Sequence, residues 1–205
     1  MGLWRSRTGR QRRGKTGGAN NLSPSGYSGT PSFHHRAKCP CGARACRLLG
    51  CHHRPRGHGQ SVVLRAIIDA EQQRHGVPQV GVTAPTGLAA VAINGSTIHS
   101  WAGWSKNVPR NLDDAVQQAR SRCLDHWLLA KVLVVDEVSM LDGNLLDLLE
   151  QTGRRLRQND LPFGGLKVVL CGDFCQLPPA TNGLYAFESV AWQICNLVWP
   201  TTRCT

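Results

Sequence analysis

The sequence predicts an α/β fold whose sheet is built from parallel strands. Three short apolar runs, at residues 79–84, 131–135 and 166–171, are typical of strands that are buried on both faces. Segments with apolar residues at helical spacing separate these runs along the chain. Because parallel strands need a crossover connection, usually a helix, this alternation favours a right-handed parallel sheet.

The helical segments can be assigned in chain order. Apolar residues at helical spacing predict a helix from Ser61 to Gly76, where the glycine would end it. Residues 113–130 predict an amphipathic helix, and residues 142–158, with five leucines, predict another. We expect these helices to connect the strands and to cover the sheet.

Charge divides the chain into two parts. The net charge is +11, yet residues 1–60 hold 12 of the 24 Lys and Arg residues and none of the 13 Asp and Glu residues. A basic stretch without apolar periodicity cannot bury enough surface to fold alone. We therefore predict a disordered basic segment over residues 1–52, out of frame or a targeting segment, and a folded domain over residues 53–205. The Arg-rich, acid-free start is also typical of an organelle transit peptide.

The cysteines and the hydropathy exclude two other classes. Four of the nine cysteines lie in the basic segment, with one, four and four residues between them. Structural zinc sites favour pairs two to four residues apart, so no structural zinc is expected. No apolar run approaches the roughly 18 residues of a membrane helix, so no membrane partner is expected either.

Polar residues follow the predicted strands, at the edge where the chemistry of such sheets occurs. Asp136 and Glu137 follow four apolar residues, which is the form of a Walker B motif. One carboxylate of such a pair can hold Mg²⁺ while the other orients and deprotonates a water molecule. A solvent-facing acidic pair is the alternative. Gln176 could place an amide at a γ-phosphate, or be an ordinary polar residue of a turn.

Hydroxyl groups and an imidazole near the predicted loops suit hydrogen bonds to a phosphate backbone. They belong to Thr83, Thr86, His99 and Ser100. A buried structural role is the alternative for His99.

Three long motifs occur in order along the chain: VGVTAPTGLAAVAINGSTIHSWAGW, KVLVVDEVSMLDGNLLDLLE and LPFGGLKVVLCGDFCQLPP. With them the chain resembles the PIF-one-like DNA helicases of superfamily 1B over roughly residues 61–192. The resemblance implies a RecA-like P-loop NTPase domain, the first motor domain of an enzyme that hydrolyses ATP to move 5′-to-3′ along single-stranded DNA. It also implies roles in DNA repair, recombination and telomere maintenance. We expect a nuclear protein, with the mitochondrion as the alternative.

The resemblance assigns roles to individual residues. Asp136 would hold Mg²⁺, Glu137 would be the catalytic base, and Gln176 would sense the γ-phosphate of ATP. Single-stranded DNA would be contacted by Thr83, Pro85, Thr86, Gly87, His99 and Ser100.

The P-loop expected before the first helix departs from the family pattern TGPGGTGKS. Residues 53–61 read HRPRGHGQS, so Gly57, Gly59, Gln60 and Ser61 would take the nucleotide-binding positions, with Ser61 also at Mg²⁺. Gln60 stands where the family has lysine, and losing such a contact typically costs about 3 kcal/mol of transition-state stabilisation. One set of codons for TGPGGTGK, shifted by one base, translates as HRPRGHGQ. We therefore hypothesise that an ordinary P-loop is encoded here and translated out of frame.

A second departure from the family pattern is at the C-terminus, where the family would continue after Trp192 into a second RecA-like domain. We therefore expect a fragment, truncated before that domain, that is inactive on its own. The alternative is a pseudo-ATPase that binds nucleic acid or a partner without hydrolysis.

Overall fold

Five strands form one sheet in which every pairing is parallel. The computed structural model describes residues 46–50, 59–105, 109–174, 176–179, 183–195 and 197. The strands are β1 (Cys46–Gly50), β2 (Val80–Ala84), β3 (Ser96–Thr97), β4 (Val132–Val135) and β5 (Lys167–Gly172). They lie in the order β1–β5–β4–β2–β3. All residues of β2 and β4 are buried, and so are those of β5 after its first residue, which confirms the predicted α/β class.

Seven α-helices lie in the described part of the chain. They are α1 (Gly59–His75), α2 (Gly87–Ala92), α3 (Ile98–Ala102), α4 (Leu112–Arg122), α5 (Leu124–Leu129), α6 (Gly143–Arg157) and α7 (Val190–Ile194). No helix among these residues is long and apolar enough to cross a membrane.

The helices cover both faces of the sheet, because side chains alternate between the faces along each strand. On one face, Leu64 and Ile68 of α1 pack with alternate residues of β2, β4 and β5. On the other face, Trp127 of α5 and Leu149 of α6 belong to a second cluster with the intervening strand residues, such as Leu133. The sheet is therefore the middle layer between two apolar cores, and functional side chains can lie at the ends of its strands.

The structure corrects the predicted disorder of residues 1–52 at one place. It has β1 at Cys46–Gly50, paired in parallel with β5 so that Gly50 lies opposite Gly172. Backbone groups supply the hydrogen bonds of a strand, so an edge strand needs no apolar period that a sequence could reveal. Residues 1–45 lie outside the described part of the chain.

The structure also corrects the predicted helix over residues 113–130. That segment forms two helices, α4 and α5, which are separated at Cys123 with φ −142° and ψ 33°. The break lies where α4 meets the turn after α3: a Cβ on Gly103 would come within 3.1 Å of the Cβ of Cys123. This contact joins residues 20 positions apart, so local periodicity does not report it.

Candidate functional site

Asp136 and Glu137 form a turn, here called the acidic turn, at the carboxyl end of β4. The Asp136 N–H donates to the carbonyl oxygen of Thr83 at 2.9 Å, which extends the β2–β4 ladder by one residue. At Glu137 the backbone turns sharply, with φ 51° and ψ 44°, into a 3₁₀ turn at Val138–Met140. Left-handed backbone at a non-glycine residue is strained and is concentrated at functional sites.

Gly172 at the end of β5 allows the acidic turn to lie close against the sheet. A Cβ at this position would lie 2.7 Å from the backbone nitrogen of Val138, closer than real Cβ atoms come. The glycine is thus required by the close approach of two backbones. Asp173 follows it directly, so the ends of β4 and β5 bring three carboxylates to one edge.

The acidic turn is electrostatically unfavourable as it stands. Burial raises the pKa of Asp136, and hydrogen bonds from the Glu137 N–H and the Cys171 thiol partly offset this rise. Burial also raises the pKa of Glu137, and the negative charges of Asp136 and Asp173 raise it further. A cation placed here would relieve this repulsion.

The donor set fits Mg²⁺ bound together with a phosphate. Mg²⁺ prefers oxygen ligands and is commonly held by one or two carboxylates plus substrate phosphates, rather than by a cage made of protein alone. Among the described residues no group of three or more His, Cys, Asp or Glu side chains forms such a cage. Asp136, at the carboxyl edge with its backbone fixed by β2, is placed to be one such carboxylate.

The predicted P-loop positions follow β1 along the chain and run into α1. Gly59, Gln60 and Ser61 fall in the first turn of α1, and the intervening residues 51–58, with Gly57, lie outside the described part of the chain. A P-loop follows a strand and opens a helix, and β1 and α1 are such a pair. A helix N-terminus attracts phosphate through its unpaired N–H groups and its dipole. α1 has no acidic residue in its first turn that would oppose an anion.

Gln176 lies on the loop that follows β5 and is exposed. Its backbone N–H donates to the carbonyl oxygen of Asp173 at 3.0 Å, and its side-chain Nε2 donates to Oδ2 of Asp173 at 3.3 Å. Since Asp173 raises the pKa of Glu137, the loop that carries Gln176 borders the acidic turn. The structure therefore brings together two segments that are separate in the sequence, the acidic turn and the loop after β5.

Thr83 differs from its predicted role. Its side chain is fully buried, and its hydroxyl donates to the carbonyl oxygen of Val134 at 2.8 Å. A residue of β2 at this depth stabilises the sheet and presents nothing to a nucleic acid, so the expected DNA contact at Thr83 is corrected to a structural role.

The other predicted DNA-contacting residues lie on two segments, here called the threonine loops, at residues 85–87 and 97–100. Thr86 caps α2, with its Oγ1 accepting from the Ala89 N–H at 3.3 Å. Thr97 caps α3 in the same way, accepting from the Ser100 N–H at 3.2 Å. Gly87 and Ser100 are exposed, while Pro85, Thr86 and His99 are partly exposed.

His99 is partly enclosed beside these loops. Burial lowers the pKa of its imidazole, so the ring is neutral at pH 7. The ring packs edge-on against Trp104 with centroids 6.2 Å apart, and its buried Nε2 has no hydrogen-bond partner among the described residues. The alternative of a buried structural histidine accounts for the packing but leaves this nitrogen unpaired.

A groove of 490 Å³ joins the two threonine loops. Pro85 and His99 line one part of it, and the start of α6 lines another. Sequence reasoning missed the other lining residues, which come from two segments, 109–110 and 140–148, because nothing in the sequence shows that these segments lie against Pro85 and His99. They include Arg110, Met140, Asn144 and Leu148.

Comparison with known proteins identifies the relatives of this chain. Residues 55–201 match the sequence profile described as PIF1-like helicase. The chain belongs to the PIF1-like helicase family. The ATP-dependent DNA helicase RRM3 of Saccharomyces cerevisiae is 46% identical in an alignment of 147 residues that covers 68% of this chain and 20% of the relative. The human ATP-dependent DNA helicase PIF1 is 37% identical in an alignment of 145 residues that covers 68% of this chain and 22% of that protein. The chain thus spans about a fifth of the length of these relatives.

Solved structures of PIF1-like helicases have the same fold. The Pif1 helicase of Candida albicans aligns with a TM-score of 0.65 and 37% identity, over 76% of this chain and 34% of that one. Bacteroides Pif1 bound to single-stranded DNA aligns with a TM-score of 0.52 and 26% identity, over 72% and 35% of the two chains. These comparisons confirm the predicted family and fold.

Proposed function

We propose that this chain is the first motor domain of an ATP-dependent DNA helicase, in which ATP hydrolysis drives 5′-to-3′ movement along single-stranded DNA. The observation that carries the proposal is the position of the acidic turn. It lies next to the end of β2 that leads into the threonine loops, at the same carboxyl edge of the sheet at which β1 ends. Its relatives are ATP-dependent DNA helicases by name. A Bacteroides relative has been solved with ADP-AlF4 and also with single-stranded DNA.

The nucleotide would lie with its phosphates at the N-terminus of α1. Asp136 and Ser61 would hold Mg²⁺, which when bound neutralises charge on the phosphates. Glu137 would accept a proton from the attacking water, and its raised pKa favours that role because a general base works best when its pKa is near the working pH. Gln176 would contact the γ-phosphate from the loop that borders the acidic turn.

Single-stranded DNA would lie along the threonine loops. The exposed residues Gly87 and Ser100 would meet the strand, together with Pro85, Thr86 and His99. A Cβ added to Gly87 would meet no atom within 4 Å, so a phosphate can approach the backbone closely there. The neutral ring of His99 would donate or accept a hydrogen bond without adding charge.

Gln60 supports a second candidate function, a pseudo-ATPase that binds nucleic acid or a partner without hydrolysis. An amide in the lysine position lacks the charge that holds the β- and γ-phosphates. The out-of-frame hypothesis accounts for the same residue differently, and the transcript across codons 40–65 decides between them. A reading frame that encodes TGPGGTGKS would make this an ordinary helicase domain.

The functional test compares the chain with Gln60→Lys and with a double variant that adds Glu137→Gln. We expect Gln60→Lys to tighten ATP binding at least tenfold, since a charge-assisted contact to phosphate is worth about 1.5–3 kcal/mol. Any residual hydrolysis by the single variant should exceed that of the double variant, which lacks the base but keeps the lysine. Equal and weak ATP binding by all forms would contradict the proposal, whereas single-strand affinity without nucleotide binding would favour the pseudo-ATPase.

A further inference from the structure

Asp136 and Cys171 lie side by side on one face of the sheet. The parallel register pairs Val134 with Val169 and Val135 with Leu170, so the next pair along is Asp136 and Cys171. Val134, Val169 and Cys171 all belong to the apolar cluster that packs against α1. Because side chains alternate along a strand, the side chain of Cys171 lies on the same face as α1.

The Cys171 thiol is a hydrogen-bond partner of the Asp136 carboxylate. An ionised carboxylate can only accept, so the thiol is the donor. The Asp136 carboxylate accepts a second hydrogen bond from the Glu137 N–H. Cys171 is only 2% exposed, so bulk water does not reach this position to replace the thiol. Two donors therefore fix the orientation of the carboxylate, one from the acidic turn and one from the neighbouring strand.

We infer that Cys171 is a positioning residue, whose thiol holds the Asp136 carboxylate in the orientation in which it would take Mg²⁺. The inference rests on the proposed function, because it concerns the same metal site. Hydrogen bonds from neighbouring groups orient metal-binding side chains, and removing such a partner commonly weakens metal binding. Valine is apolar and has no donor, so Cys171→Val removes the hydrogen bond while keeping an apolar side chain at this buried position.

The first test measures how much Mg²⁺ strengthens ADP binding, as the ratio of affinities with Mg²⁺ and with EDTA. In the full 205-residue chain, Cys171→Val should lower this ratio about threefold to tenfold, the range of one hydrogen bond to a buried group. Cys171→Ser keeps a donor and should restore the ratio. Val169→Ala is the control for packing, since Val169 is as buried and lies on the same face of β5. Affinity without Mg²⁺ should be alike in all four proteins.

The second test detects the hydrogen bond itself and needs no nucleotide. The infrared difference between the unaltered chain and Cys171→Val isolates the S–H stretch of Cys171, which a hydrogen bond moves to lower frequency. In the Asp136→Ala variant, which lacks the acceptor, this band should move to higher frequency. An S–H band that does not move overturns the inference. So does a Mg²⁺ ratio that is the same in Cys171→Val and the unaltered chain, and so does a ratio that Val169→Ala lowers as much as Cys171→Val does. If Mg²⁺ has no effect on ADP binding by the unaltered chain, the metal site of the proposed function fails, and the inference fails with it.

Discussion

The acidic turn and the threonine loops lie on the same edge of the sheet, yet they are built on opposite principles. The acidic turn has partly buried carboxylates with raised pKa values, and its backbone is left-handed at Glu137. The threonine loops instead use their hydroxyls to cap short helices, and leave Gly87 and Ser100 exposed. Unfavourable charge suits a site that binds a cation and moves a proton, while capped exposed backbone suits a surface that a polyanion lies across.

The largest effect is expected when the glycine packed against the acidic turn, Gly172, is compared with Gly87 of the threonine loops. Gly172→Ala should destabilise the fold by about 3 kcal/mol or more, because its Cβ would meet the backbone nitrogen of Val138 at 2.7 Å. Gly87→Ala meets no atom within 4 Å and lies in the first turn of α2, so stability should rise by less than about 1 kcal/mol. Urea denaturation of both variants measures the difference. Equal losses at the two glycines would contradict the contrast.

The acidic turn was easier to predict from the sequence than the threonine loops. Apolar runs that stop at Asp136 and Asp173 indicated both the strands and the edge where they end. The sequence could not show that Thr83 faces the β4 backbone, because that depends on the register between two strands. Nor could the sequence show that Cys171 lies beside Asp136. β4 and β5 are separated by 31 residues along the chain and become neighbours only in the sheet.

Threonine substitutions in and beside the threonine loops give the next largest effect. Thr83→Val removes the buried hydrogen bond to the Val134 carbonyl and should cost about 1–2 kcal/mol of stability, with single-strand affinity unchanged in the folded protein. Thr86→Val removes the cap of α2 and should cost about 1 kcal/mol while also weakening DNA binding. Thermal unfolding and fluorescence anisotropy with a labelled oligonucleotide measure the two properties. A DNA defect of equal size in both variants would contradict the structural role of Thr83.

Removing one charge from the acidic turn should stabilise the protein. Because the pKa of Glu137 is raised, the folded state binds more protons than the unfolded state as pH rises above about 4.5. Stability is thus lost as pH rises through that window, and the loss is complete above the folded pKa. Glu137→Gln should raise stability at pH 7 by less than about 1 kcal/mol, because solvent screens a partly exposed carboxylate, and should change nothing at pH 3. A gain of equal size at both pH values would show that charge is not the cause.

The smallest expected effect concerns His99 of the threonine loops, and its dependence on pH is opposite to that of Glu137. Because burial lowers the pKa of His99, the unfolded state binds the extra proton first, and stability falls by a few tenths of a kcal/mol as pH drops below 6.5. His99→Phe and His99→Gln both remove the titrating group, so both should flatten this fall. Glutamine keeps a polar amide near the position of Nε2, whereas phenylalanine places a C–H group there, so phenylalanine alone should add a gain that is the same at pH 5 and pH 8. If the two variants are equally stable at pH 8, the Nε2 atom of His99 carries no cost, and the ring is paired in solution.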